Sequence, residues 1–200
     1  MKIVLASRNK HKIVEWEATL RKYVEDVEIL SLDDVGIYGE IEEDGKTFEE
    51  NALIKARAAQ SRGYISVGED SGLSVNALGG EPGVYSARYA GEHGDDRANN
   101  ELLLKKLEGK NDRSAKFVCT IACVCPDTSE EHIFVGYTEG VIIDEYRGTN
   151  GFGYDPLFYR EAEGKTFAEM TREEKISISH RGKAIEKFGA WLAEYEKTRG

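Results

Sequence analysis

The stretch "YISVGEDSGLSV", Tyr64 to Val75, decides how this chain is read. It begins as an apolar β run, and the polar tetrad Glu69-Asp70-Ser71-Gly72 is predicted to break it at a turn before Leu73 and Val75 resume it. The adjoining run, "NALGGEPGVYSARYAG", is too irregular and glycine-rich for regular structure. Carboxylates at a strand-to-loop break are placed to hold a hard divalent cation or to handle a proton, so Asp70 is the first candidate for chemistry.

Outward from that stretch, strands and helices alternate. Toward the N-terminus, "KIVLA" reads as a strand and "SRNKHK" as a loop, and Ile13, Val14, Trp16, Leu20 and Val24 recur at helical spacing. In "EDGKTFEENALIKARAAQSRG", Thr47 and Glu50 form a predicted capping box, and Gly63 is the expected stop. Toward the C-terminus, "RANNELLLKKLEG" predicts a short helix ended by Gly109. The runs "SAKFVCTIACVC" and "EEHIFVGYTEGVIID" predict an antiparallel hairpin with a largely buried first strand. A short strand is expected at Pro156 to Tyr159. The chain closes in a helix with Ser179 as its N-cap and an apolar face of Ala184, Ile185, Phe188, Trp191, Leu192 and Tyr195. The pattern predicts an α/β fold with a long mixed sheet flanked by helices, residues 1–200 forming one domain of two lobes with a central cleft.

With 200 residues and a formal net charge of −10, the chain is large enough for a sizeable core and too acidic for broad attraction to nucleic acid or a membrane surface. A small anionic ligand needs only a local positive pocket. The opening apolar run is too short for a signal sequence or a membrane span, and a cytoplasmic location is expected. Cys119, Cys123 and Cys125 have no partner cluster and are expected to be buried thiols. The apolar residues around Trp16 suit a subunit interface or a core equally well.

Four loops carry residues suited to chemistry. In "SRNKHK", Ser7 to Lys12, free backbone N–H groups before a helix favour an anion, although neither the P-loop nor the dinucleotide glycine spacing is present. Glu42 and Glu43 join Glu69 and Asp70 as acids able to hold a divalent ion. In "NGFGYDPLF", glycines around Phe152 and Tyr154 would let a flat ring approach a ligand, one of the two rings being expected in the core. In "MTREEKISISHRGKA", Thr171 and Glu174 form a capping box, and His180 and Arg181 fall in the first turn of the last helix. A cation is disfavoured there by the helix dipole, which suggests an acceptor nearby.

Taken in order, "LASRNKHKI", "EEDGKTFEENALIKA", "GEDSGLSVNALGGEPGVYSARYAG", "GTNGFGYDPLF" and "FAEMTREEKISISHRGKA" closely resemble the inosine triphosphate pyrophosphatase family over nearly the whole chain, Lys2 to about Phe188. The resemblance implies Mg²⁺-dependent hydrolysis of non-standard purine nucleoside triphosphates such as ITP, dITP and XTP to monophosphate and pyrophosphate, with Mn²⁺ as the alternative metal. It also implies a homodimer of elongated α/β subunits. By resemblance, Ser7, Asn9 and Lys12 are phosphate-loop positions, with Arg8, Lys10 and His11 beside them. Asp70 is the metal-bound acid/base and Ser71 a substrate contact. One of Glu42 and Glu43 is the second metal ligand. Phe152, Gly153, Tyr154 and Asp155, with Lys175, His180 and Arg181, form the base and phosphate pocket. One departure stands out: Arg8 occupies a position where the family has glycine.

Two other readings compete. One is a related pyrophosphatase for other modified nucleotides, pyrimidines included; the other is a nucleotide sensor without turnover, suggested by Arg8 and opposed by the intact acids.

Overall fold

A computed structural model of the chain describes Met1–Gln60 and Gly63–Thr198, with His11 described by its backbone alone. The fold is α/β. Strands β1 (Lys2–Leu5), β2 (Glu28–Leu30), β3 (Ile65–Val75), β4 (Ser114–Val124), β5 (Glu131–Ile142), β6 (Phe158–Arg160) and β7 (Lys165–Thr166) form one mixed sheet in the order β2-β1-β3-β4-β5-β6-β7. β1 runs parallel to both β2 and β3, whereas β5, β6 and β7 pair antiparallel. β4 and β5 form the expected hairpin: their short link closes through Cys125 N–H to the Glu130 carbonyl, and so short a link permits only antiparallel pairing. The helices are α1 (Lys10–Leu20), α2 (Phe48–Ala58), α3 (Asp96–Leu107), α4 (Arg172–Ile178) and α5 (His180–Lys197). No helix among the described residues is long and apolar enough to cross a membrane.

The chain divides into two compact units, and the boundary falls inside β3 between Asp70 and Ser71. The first comprises Met1–Asp70, Cys119–Gly136 and Gly182–Gly200; the second comprises Ser71–Val118 and Tyr137–Arg181. In the first, Trp16 and Leu20 of α1 and Phe188 and Leu192 of α5 pack with Ile3, Ile65 and Ile121 from the strands. Trp16 is therefore core, its ring 5.9 Å from that of Phe188. The three cysteines are free and buried, and burial pushes the Cys123 thiol well above its usual range. In the second unit, Leu103 and Leu107 of α3 join Leu73, Phe117, Phe158 and Phe167.

The predicted turn at Glu69 to Gly72 does not exist, because β3 runs unbroken through it. Polar side chains break a strand when they must turn to reach water. Here helices supply partners instead, with Trp16 and Lys12 meeting Glu69 and Asn51 and Lys55 meeting Asp70. Other boundaries shift for local reasons. β6 begins at Phe158 rather than Pro156, since Leu157 and Phe158 donate their N–H groups to the Tyr154 carbonyl in a turn. The cap of α2 is half a capping box: Thr47 accepts from Glu50 N–H, but the Glu50 carboxylate takes the N–H of Lys46. α2 ends at Ala58, short of Gly63, while α3 stops just before Gly109 and Thr171–Glu174 form the full box that starts α4. Ser179, in extended backbone, directly precedes α5 in the position of an N-cap.

One close approach sets the first unit. A Cβ at Gly68 would strike the Ala52 carbonyl oxygen and come within 2.5 Å of Ala56 N and 2.8 Å of Lys55 Cβ, so α2 lies with its main chain against β3. The small residues Ala52 and Ala56 permit this, and both are fully buried. Gly68→Ala should therefore destabilise the protein by about 1 to 3 kcal/mol or more through overpacking, read as a lower urea midpoint. A midpoint within error of the parent would remove the constraint.

Candidate active site

In the first unit, four elements converge on two adjacent carboxylates. β3 alternates its side chains, so Glu69 and Asp70 point to opposite faces. Glu69 is fully buried; it accepts the Trp16 indole N–H at 2.7 Å and pairs with the Lys12 ammonium at 3.2 Å. Asp70 meets α2: Asn51 Nδ2 donates to its Oδ2 at 3.2 Å and Lys55 Nζ to its Oδ1 at 3.1 Å. The same Nζ donates to Glu43 Oε2 at 2.7 Å, so one ammonium lies between two carboxylates. Burial pushes the Asp70 carboxyl above its ordinary range, while Lys55 and Asn51 pull it back and nearby Glu43 pushes with the burial.

This geometry separates the two candidates for the second acid. Glu43 shares a cation with Asp70, whereas Glu42 is exposed. Among the described residues no group of three or more His, Cys, Asp or Glu side chains is arranged to hold a metal; Glu43 and Asp70 are brought onto one lysine, and Glu42 is not part of that arrangement.

At the loop before α1, Asn9 caps the helix by accepting the Lys12 N–H at 3.2 Å, and Ser7 Oγ accepts from Asn9 N–H at 3.1 Å. Lys10 is exposed, and the His11 side chain lies outside the described residues. Arg8, expected among the substrate contacts, is engaged elsewhere. Its guanidinium donates to Asp33 Oδ1 at 2.8 Å and to the carbonyls of Ile37 and Gly39 at 2.9 and 2.8 Å. Three acceptors fix a planar donor more firmly than a solvated phosphate contact would, so this residue ties down the loop leading to Glu43.

In the second unit, Ser71 is half-buried on β3. The glycine-flanked aromatics divide as chemistry requires: Tyr154 is buried, its hydroxyl donating to the Ser86 carbonyl at 2.7 Å, whereas Phe152 is 64% exposed. Asp155 is buried, accepts the Phe152 N–H at 3.1 Å and forms an ion pair with Lys175. Burial raises its carboxyl above the usual range against the pull of Lys175, the Phe152 N–H and Arg181. Lys175 Nζ lies 5.0 Å from the Phe152 ring centroid and the Arg181 guanidinium carbon 6.0 Å, so two cations address one exposed ring. The positive charge of Arg181 thus acts on the Asp155 carboxylate. His180 is buried and stacked on Phe117 at 4.8 Å and 13°.

Two residues at Asp70 escaped the sequence reading. Asn51 and Lys55 stand four apart in "NALIKA", on one face of α2 beside the alanines, and that buried polar pair at helical spacing was the available signal.

The model of the Ham1 family matches residues 3–191. This chain belongs to the Ham1 family. The Ham1 assignment agrees with curated relatives: the dITP/XTP pyrophosphatase of Bacillus licheniformis is 50% identical over 193 residues, 95% of this chain and 97% of that one. That of Clostridium perfringens is 48% identical over 196 residues, 94% and 95% of the two chains. Among solved structures, the Staphylococcus aureus Ham1 protein superposes with a TM-score of 0.89 at 43% identity, covering 98% of this chain and 100% of its own. A nucleoside-triphosphatase / dITP/XTP pyrophosphatase of Mycobacterium abscessus gives 0.79 at 46% identity, covering 94% and 98%.

The Asp155–Lys175 pair gives a pH test. Because burial raises the Asp155 carboxyl, its favourable contribution is complete below its unfolded pKa and is lost as pH climbs through the folded value. Removing Lys175 raises that carboxyl further and enlarges the loss. Lys175→Met should cost roughly 3 kcal/mol near neutral pH and far less in acid, and adding Asp155→Asn should recover most of it. Denaturant midpoints measured across pH check this; a pH-independent deficit would refute it.

Proposed function

We propose that the chain is a nucleoside triphosphate pyrophosphatase that hydrolyses non-standard purine nucleotides, dITP, XTP and ITP, to monophosphate and pyrophosphate. The observation that carries this is the convergence of Glu43 and Asp70 on one cationic point, the Lys55 ammonium, in a Ham1-family chain. Two hard carboxylates converging on a cation fit Mg²⁺, which takes one or two carboxylates and completes its shell with water and phosphate oxygens. Glu43 and Asp70 would hold it, with Mn²⁺ as an alternative, and when bound it supplies charge neutralisation to the triphosphate.

Asp70 acts as the base. Its carboxyl, lifted by burial, accepts a proton from the attacking water as the α–β phosphoanhydride breaks. Asn51 and Lys55 hold that carboxylate in place. Ser7, Asn9 and Lys12 bind phosphate oxygens, and Ser71 contacts the substrate. The purine stacks on Phe152, a contact of about 1 to 3 kcal/mol. Arg181 donates to the 6-oxo group of hypoxanthine or xanthine, where adenine presents a donor of its own; a mismatched pair of this kind costs about 1 to 3 kcal/mol. Residues 1–200 work as one pyrophosphatase domain in a cytoplasmic homodimer, clearing the nucleotide pool.

Pyrophosphate release with Mg²⁺ should be much faster from ITP, dITP and XTP than from ATP or GTP; release from none of them would leave a sensor. Asp70→Asn should slow turnover about 10² to 10⁴-fold while nucleotide binding persists, and retained activity would strip Asp70 of its role. Arg181→Ala should lower the ITP to ATP ratio of kcat/KM about tenfold, and an unchanged ratio would move base discrimination elsewhere.

A further inference from the structure

The ring proposed to carry the base is displayed by a turn in which the residue after it is held at both its N–H and its carbonyl by one helix. Gly153, the residue after Phe152, has φ +60°. Its N–H donates to Asp96 Oδ2 at 2.7 Å, and its carbonyl accepts from Asn100 Nδ2 at 2.9 Å. Asp96 opens α3 and Asn100 stands one turn later, so the two grips are four residues apart on a rigid element. The same Nδ2 also reaches the Asp96 carbonyl at 2.9 Å. With two carbonyl oxygens facing it, that end of the amide is the donor.

The other end distinguishes this residue from its neighbour. Asn99 satisfies both ends of its amide, accepting from Ala90 N–H and donating to the Ala87 carbonyl, as a structural asparagine should. Asn100 is 2% exposed, and its Oδ1 is buried with no hydrogen-bond partner among the described residues. A buried orphan acceptor opposes folding. What the amide achieves at its other end is to hold the Gly153 carbonyl to the first turn of α3.

We infer that Asp96 and Asn100 are positioning residues for substrate selection, clamping the two peptide groups that flank the Gly153 Cα so that Phe152 presents its ring rigidly to the purine beneath the Lys175 and Arg181 cations. The clamp rests on the reading of Phe152 as the base platform. A loose turn would have to order its ring on binding, so losing the clamp weakens substrate capture more than it slows bond cleavage.

The test compares Asp96→Ala, Asp96→Asn, Asn100→Ala, Phe152→Ala and the double variant Asp96→Ala/Phe152→Ala in full-length protein with ITP. Asp96→Ala and Asn100→Ala should each raise KM about tenfold with kcat within about twofold. Asp96→Asn, whose amide oxygen can still accept the Gly153 N–H, should restore KM. The double variant should match Phe152→Ala, since the clamp acts through the ring. Hydrogen exchange should show the Gly153 amide losing protection in Asp96→Ala and not in Asp96→Asn, and the urea midpoint of Asn100→Ala should hold. A raised KM in Phe152→Ala with normal KM in both clamp variants would overturn the clamp alone, as would additive effects in the double variant. A normal KM in Phe152→Ala would overturn the platform and the clamp together.

Discussion

The contact between the main chain of α2 and Gly68 of β3 underlies the arrangement of the first unit. Because there is no Cβ at Gly68 and only alanines on the facing turns, helix and strand approach until further side chains have no room. That closeness brings Asn51 and Lys55, one turn apart, onto Asp70, two residues along the strand. A helix held farther off would leave Asp70 solvated and Lys55 reaching outward, as lysines ordinarily do. The glycine thus converts a backbone packing contact into an electrostatic one, and the partly buried carboxylate owes its raised pKa to the same seat.

The chain carries a formal charge of −10, yet each buried acid described at its candidate site has a partner. Glu69 has Lys12 and the Trp16 indole, Asp70 has Lys55 and Asn51, and Asp155 has Lys175 and the Phe152 N–H. A buried carboxylate without such groups would simply take up a proton. These pairings allow an acidic protein to concentrate cations locally, which is what a small polyanionic ligand requires and what a long polyanion would not find. The cations of the second unit also flank an exposed aromatic ring, so one lysine both neutralises an acid and faces a π-system.

Much of this was legible beforehand because it depends on local physics. The helix caps at Thr47 and Thr171, the β4–β5 hairpin, the buried thiols and the apolar face of α5 follow from spacing and from capping chemistry. The division of labour between Phe152 and Tyr154 was anticipated as a choice of one ring, but not which. Glycine spacing leaves both rings equal, and only the carbonyl of Ser86, distant in sequence, claims the tyrosine hydroxyl. The reading of Glu69 to Gly72 as a turn failed for a related reason. Polar residues look like a break until helices from elsewhere in the chain deliver an indole and an ammonium to them.

What the sequence determined by itself is therefore the α/β class, the order of its elements and the set of segments that hold the candidate residues, since periodicity, caps and motifs act over a few residues. What only the tertiary structure decided is which members of those segments meet. It chose Glu43 over Glu42 through a shared Lys55, committed Arg8 to the Asp33 loop, buried His180 against Phe117 and recruited Asn51 and Asn100. Each of those outcomes turns on a hydrogen bond, an ion pair or a ring contact between residues far apart in the chain. Such partners share no local signature, and they are brought together only when the helices pack against the sheet.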